Sequence, residues 1–185
     1  GDGAPSSGDR EVRLSPEVTA ALQGLARRGR VTLNTIVQAA WALLLSRYSG
    51  EQDVVFGATV SGRPADLPGA ETMIGLFINT LPIRVHVDEE QPLLAWLQSL
   101  QAQQVELQQY QYSPLVQIQG WSEVPRGQPL FETLMVFENY PVSSASLASA
   151  RGSSSPGTER DSGAGLEIRN VRSVEQTNYP ITFVV

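Results

Sequence analysis

Residues 75–85 read GLFINTLPIRV, from Gly75 to Val85. Phe77, Leu81, Ile83 and Val85 recur at every second position, the pattern of a strand with one face in the core. Asn79 falls on that same face. A buried carboxamide without partners costs ~1–3 kcal/mol. The fold must therefore supply partners for Asn79, or function must use it. Pro82 has no N–H to give to a ladder, which places the strand at a sheet edge or at a bulge. The strand is predicted to reach about Val87.

The neighbouring segments build the fold class. Upstream, Asp53 to Ser61 (DVVFGATVS) is strand-like and ends in Gly62-Arg63-Pro64, with a polar loop, DLPGAET, after it. Further upstream, Ser15-Pro16-Glu17 is a helix start, with a capping serine and proline at the first helical position. Val18, Ala21, Leu22, Leu25 and Ala26 follow at helical spacing, and Arg27-Arg28-Gly29 suits the end. A second helix opens at Thr32. Leu33, Ile36, Val37, Ala40, Trp41, Leu44, Leu45 and Tyr48 give it a broad apolar stripe, which predicts deep burial; it stops at Gly50.

Downstream, DEEQP leads into a third helix, roughly Pro92 to Gln109. Leu93, Leu97, Leu100 and Leu107 form its apolar line, with Trp96 beside it. Nine glutamines lie between Gln98 and Gln119, and they read as a solvated face made of good helix formers. Tyr112-Ser113-Pro114 breaks into a short segment, LVQIQGW. Leu130 to Tyr140 (LFETLMVFENY) is apolar at nearly every position, as a central strand is. Residues 143–165 are rich in Ser, Ala and Gly and read as a mobile loop or linker. LEIRNVRSV reads as a further strand and PITFVV as the start of another, cut short at Val185 as in a fragment. The order predicts a mixed α/β (α+β) domain, without regular βαβ alternation and without a glycine fingerprint after a first strand.

Bulk properties narrow the function. The 185 residues carry a formal charge of −6, and all thirteen basic residues are arginine. An acidic chain does not draw phosphate backbones, so nucleic acid is a poor partner. Without lysine there is no Schiff base and no P-loop lysine. Without cysteine there is no disulfide, zinc-thiolate site or thiol nucleophile, in keeping with a cytoplasmic location. No run approaches the ~18 apolar residues of a membrane helix. Residues 1–11 read as a flexible lead-in or a cut site within a longer chain. His86, the one histidine, sits beside Asp88, Glu89 and Glu90; carboxylates with a single imidazole seldom make a zinc site, so it reads as an exposed strand-end residue. No GxSxG, HExxH or P-loop is present.

Four motifs then carry a resemblance: VVFGATVSGRP, MIGLFINTLPIRV, YSPLVQIQGWSEVPRGQPLFETLMVFENYP and SVEQTNYPITFVV. In this order and spacing, from about Val12 to Val185, they resemble the C-terminal lobe of the condensation domains of nonribosomal peptide synthetases. The resemblance implies a chloramphenicol-acetyltransferase-like lobe, a mixed sheet flanked by helices, as one half of a V-shaped two-lobe domain with the active site in a tunnel between the lobes. It implies amide synthesis between aminoacyl or peptidyl thioesters, each tethered by phosphopantetheine to its own carrier protein, with no cofactor bound directly and no metal. Its implied partners are the N-terminal lobe, the donor and acceptor carrier proteins and an adjacent adenylation domain.

The family's HHxxxDG motif belongs to the other lobe, and nothing here matches it. The resemblance therefore implies no catalytic residue in this chain and little activity from it alone. Asn79 and Thr80 match the family's NT pair on a strand that faces the tunnel; the alternative is that Asn79 only ties neighbouring backbone together. Ser61 and Arg63 match the family's SGR, which implies a place at the lobe interface or near the tunnel, where Arg63 could hold a carboxylate; the alternative is a surface arginine in a turn. Gln176, Thr177 and Asn178, ahead of Tyr179, approach the other lobe and could line the tunnel or cap a strand entry. The helix from Pro92 and the segment Tyr112 to Trp121 offer outer surface for a carrier. Competing readings are a non-catalytic docking module of the same fold, an epimerisation or heterocyclisation relative, and a free-standing acyltransferase. The stretches SPLVQIQGWSEVP and VFENYP resemble ordinary condensation domains more than those relatives, and the missing histidine pair weakens the last reading.

Overall fold

The structure, a computed structural model, describes residues 8–61, 67–69, 72–125, 127–138 and 177–185. Helix α1 spans Pro16–Gly29 and starts as its sequence dictates: Ser15 Oγ accepts from the Val18 N–H, with proline in the first turn. It ends at the expected place, with Arg27 and Arg28 in its last turn. Gly29 is the last helical residue, and Arg30 takes the left-handed position at φ 54°. A Cβ at Gly29 would stand 2.8 Å from Leu94 Cδ1, the movable end of an exposed side chain. Helix α2 spans Leu33–Ser49, capped by Thr32 and stopped by Gly50 at φ 76°.

Strands β1 (Asp53–Val60) and β2 (Asn79–His86) pair antiparallel, with Val54 opposite Val85, Phe56 opposite Ile83 and Ala58 opposite Leu81. These six side chains are buried against α2 and helix α3, Leu93–Leu107. Strand β3 (Thr133–Val136) runs parallel to β1, and β4 (Ile181–Val184) runs parallel to β3, giving the sheet order β2-β1-β3-β4. A 3-10 turn at Gln108–Tyr110 and helix α4 (Leu115–Trp121) lie between β2 and β3 in sequence, after α3. The result is a mixed α/β architecture, a four-stranded sheet flanked by helices.

Pro82 lies on the edge strand opposite Gly57, in unbroken register, so the missing N–H costs no ladder bond inside the sheet. The strand is shorter than its alternation predicts. β1 ends at Val60, whose partner is Asn79, so the paired part of β2 begins at Asn79. Phe77 is half-buried outside the ladder, while Ile74 and Leu76 are exposed.

The expected stripe of α2 is buried only in part. Ile36, Ala39 and Ala42 reach the core, whereas Ala40, Leu44 and Tyr48 are exposed. The alanines let the helix sit close to the sheet, and the far turn extends past it. Trp41 stacks on Phe183 with centroids 5.2 Å apart, and its Nε1 donates to Thr133 Oγ1. On α3, Trp96, Leu97 and Leu100 are buried but Leu93 is exposed. β3 is central and buried over Thr133–Met135, a shorter core than Leu130 to Tyr140 predicts. The predicted loop at 143–165 and the predicted strand LEIRNVRSV lie outside the described residues. Among the described residues, no helix is long and apolar enough to cross a membrane.

Candidate functional site

Asn79 opens β2 at the point where β1 ends, and its carboxamide is engaged on both sides. Nδ2 donates to the carbonyls of Gln111 and Ser113, each at 2.9 Å. Oδ1 accepts from the Thr80 N–H at 2.9 Å. An asparagine meets this need where an apolar residue could not: the turn after α3 presents two carbonyls toward the sheet edge, and one NH2 group serves both. Asn79 therefore fixes the Gln111–Ser113 turn against β2.

A larger set of carboxamides joins α2 to α3. Gln101 Oε1 accepts from the Thr32 N–H at 2.8 Å. The fully buried Thr35 hydroxyl stands 2.6 Å from that same oxygen and 2.8 Å from Gln104 Oε1, so its one proton is shared in a three-centre arrangement. That commitment leaves Thr32 as donor in the 2.8 Å contact between the two hydroxyls. Gln104 Nε2 donates to Gln38 Oε1 at 2.8 Å, and Gln38 Nε2 donates to Asn34 Oδ1 at 3.2 Å. Gln98 and Gln103 donate to the carbonyls of Gly29 and Arg84. The expectation of a merely solvated glutamine face is corrected here: the α3 amides hold α1, α2 and β2. The signal was in the spacing. Gln98, Gln101, Gln104, Gln108 and Gln111 recur every three or four residues, on one helical face.

A cleft of about 180 Å³ lies between α2, the C-terminal end of α3 and the β1–β2 ladder. Gln38, Gln101, Gln104, Gln108 and Gln111 line it, over an apolar floor that includes Leu81, Ile83 and Leu107. None of its lining residues is ionisable. Gln101 Nε2 and the whole Gln108 carboxamide have no hydrogen-bond partner among the described residues.

The other sequence-predicted residues lie elsewhere. Thr177 and Asn178 are exposed just ahead of β4, where the Thr177 and Thr182 hydroxyls meet. β4 and β2 are opposite edges of the sheet, about 14 Å apart at the usual strand spacing. The structure thus does not bring Asn79 and Thr80 together with Thr177 and Asn178. Tyr179 stacks on Phe131, which itself lies against Gly57; a Cβ at Gly57 would fall 2.3 Å from the Phe131 ring. Ser61 is exposed at the end of β1, and Arg63 and Gln176 lie outside the described residues. His86 is exposed at the end of β2, and its carbonyl accepts from Trp96 Nε1 at 2.9 Å. The nearby Arg84 guanidinium binds Asp53 through two nitrogens, and that hydrogen bonding holds the Asp53 carboxyl below its usual range.

Comparison with known proteins places the chain in a family. The condensation-domain family model matches residues 3–185. Among the relatives, a component of the linear gramicidin synthase of Brevibacillus parabrevis is 58% identical over 174 residues, covering 94% of this chain and 3% of that protein. Chondramide synthase cmdD of Chondromyces crocatus is 51% identical, covering 94% of this chain and 4% of that protein. Among solved structures, the four-domain nonribosomal peptide synthetase AB3403, bound to AMP and glycine, matches at TM-score 0.61 and 26% identity, over 71% of this chain and 10% of that one. The first condensation domain of the CDA synthetase shares the fold, with TM-score 0.58 at 21% identity over 68% of this chain and 27% of that one. The chain belongs to the condensation-domain family of nonribosomal peptide synthetases. It spans only a few per cent of the length of the synthetases it matches.

Proposed function

We propose that this chain is the C-terminal lobe of a condensation domain and forms one wall of the tunnel in which an amide bond is made. The observation that carries the reading is the family match from residue 3 to residue 185 in a chain that spans about a quarter of the solved condensation-domain chain. The reaction joins two carrier-bound thioesters. The acceptor amine attacks the donor thioester carbonyl, the C–N bond forms, the C–S bond breaks, and the thiol leaves with the proton lost by the amine. A neutral amine is a good nucleophile, so holding both arms in line supplies most of the benefit, of order 7–11 kcal/mol in well-oriented systems.

This chain's residues serve that task by shape. Asn79 and Thr80 set the edge of β2 beside the tunnel, and Asn79 keeps the Gln111–Ser113 turn in place. Thr177 and Asn178 form the opposing rim, and Ser61 meets the other lobe. The partners are the N-terminal lobe, the donor and acceptor carrier proteins with their phosphopantetheine arms, and a neighbouring adenylation domain. The test is a single-turnover assay read by intact mass, with two loaded carriers and this chain, with or without the upstream lobe in trans. Product only with the added lobe is expected. Product from this chain alone overturns the division of labour. Carrier binding without product in either sample favours a docking module.

A further inference from the structure

We propose that Phe131 is a positioning residue: seated on Gly57, its ring carries Tyr179 and so fixes where the Thr177–Asn178 turn stands over the sheet. That this turn borders a tunnel rests on the function proposed above; the placement of the turn does not.

Strand alternation defines the face concerned. Val54, Phe56 and Ala58 pack with α2 and α3, so Gly57 faces away from the helices. Gly57, Leu134 and Thr182 are successive partners across β1, β3 and β4, and residues paired in register share a face. Thr80, paired with Thr59, lies on that face of β2. The face therefore carries Thr80 at one edge, Thr182 at the other and Gly57 between them. A glycine lets another group come down onto the backbone, and here the Phe131 ring does so. A Cβ at Gly57 would overlap the ring carbons Cε2, Cζ and Cδ2. Phe131 is only 6% exposed in this seat.

The two rings are placed by the ladder. Thr133 pairs with Ile181 in the parallel β3–β4 register, so Phe131 and Tyr179 stand level just ahead of their strands. They stack with centroids 5.3 Å apart and planes 22° apart. Pro180 restricts the Tyr179 backbone to extended conformations. The turn lies outside the ladder. Thr177 Oγ1 accepts from the Tyr179 N–H at 3.3 Å and meets the Thr182 hydroxyl. Those contacts shape the turn and tie it to β4, the edge strand. Of these contacts, the ring stack is the one that reaches β3 and, through the seat on Gly57, β1. A leucine at 131 would still cover Gly57 but would offer no flat surface to a ring.

The experiment compares the parent chain with Phe131→Leu, Tyr179→Leu and Tyr179→Phe. In the 15N-labelled full chain, heteronuclear NOE values of the Thr177 and Asn178 amides report how firmly the turn is held. Both leucine variants should lower these values while the β1 and β2 amides keep theirs, and Tyr179→Phe, which keeps a ring, should recover them. Tyr179 is half-buried and outside the ladder, so Tyr179→Leu keeps the test decisive even where Phe131→Leu unfolds. The second readout is single-turnover transfer between two loaded carriers with the upstream lobe added. The maximal rate should fall about ten- to a hundredfold in the leucine variants, the scale of a misplacement near 1 Å. The carrier concentration giving half that rate should not move, and Tyr179→Phe should again recover the loss. Unmoved NOE values in a folded leucine variant, or an equal loss in Tyr179→Phe, overturn the proposal. So does a parent-like rate in a variant whose turn has loosened. Absence of transfer by the parent sinks the condensation reading alone, and the amide values then decide the placement.

Discussion

At the scale of single residues, Asn79 separates support from function. Asn79→Leu removes the donor for two half-buried carbonyls and the acceptor for the Thr80 N–H. Water can reach part of that site, so the expected cost is about 1 kcal/mol, measured by urea unfolding. In a complete domain, transfer should fall by more than this loss of stability explains. Transfer that falls only with the unfolded fraction would make Asn79 a staple and nothing else. Thr35 poses the opposite case, because it is fully buried. Thr35→Val keeps the shape but strips Gln101 and Gln104 of their shared donor, so about 1–3 kcal/mol should be lost. Restoring part of it in Thr35→Ser would identify the hydroxyl as the cause.

Asp53 and Arg84 give a pH dependence with a definite sign. Arg84 lowers the folded-state pKa of Asp53, so the pair adds stability above the ordinary carboxylate pKa near ~3.9. That stability is lost as pH falls through the lower folded value. The Arg84 side chain is 75% exposed and that of Asp53 42%, so solvent screening keeps the pair's contribution small. Asp53→Asn should lower the melting temperature slightly at pH 7 and flatten the decline below pH 4. An unchanged acid limb would assign that decline to other carboxylates.

At the scale of elements, what could be read followed from how local each signal was. The Ser15 and Thr32 caps, the Gly50 stop and the alternation of Leu81, Ile83 and Val85 each depend on a few adjacent residues, and each is seen where the pattern put it. The start of β2 was not legible within GLFINTLPIRV, because it is set by where β1 ends, at Val60 opposite Asn79. Gly29 closes α1 as its sequence suggests, but the left-handed cap falls on Arg30, one residue on. The glutamines of α3 suited a wet surface by composition, and only the threonines of α2 across the gap turn them into a joint. Asn79 was flagged by its own anomaly on an apolar face, yet its partners at 111 and 113 belong to a turn that no short-range rule connects to it.

At the scale of the whole molecule, charge governs encounter with partners. The chain carries −6, and the family resemblance implies a carrier partner that is itself acidic. Two net anions repel at long range, and salt screens that repulsion with a Debye length of about 10 Å at 0.1 M. Docking must then rely on apolar contact and local arginines, which act only at short range. The association rate of an acidic carrier with this chain should therefore stay level or rise as salt increases from low to physiological strength, measured by stopped-flow fluorescence. Dissociation should change little, because the short-range contacts are already desolvated. A rate that drops steeply with salt would mean that a local basic surface outweighs the net field. The search for the carrier site would then start from the arginines rather than from the apolar flank of α3 and α4.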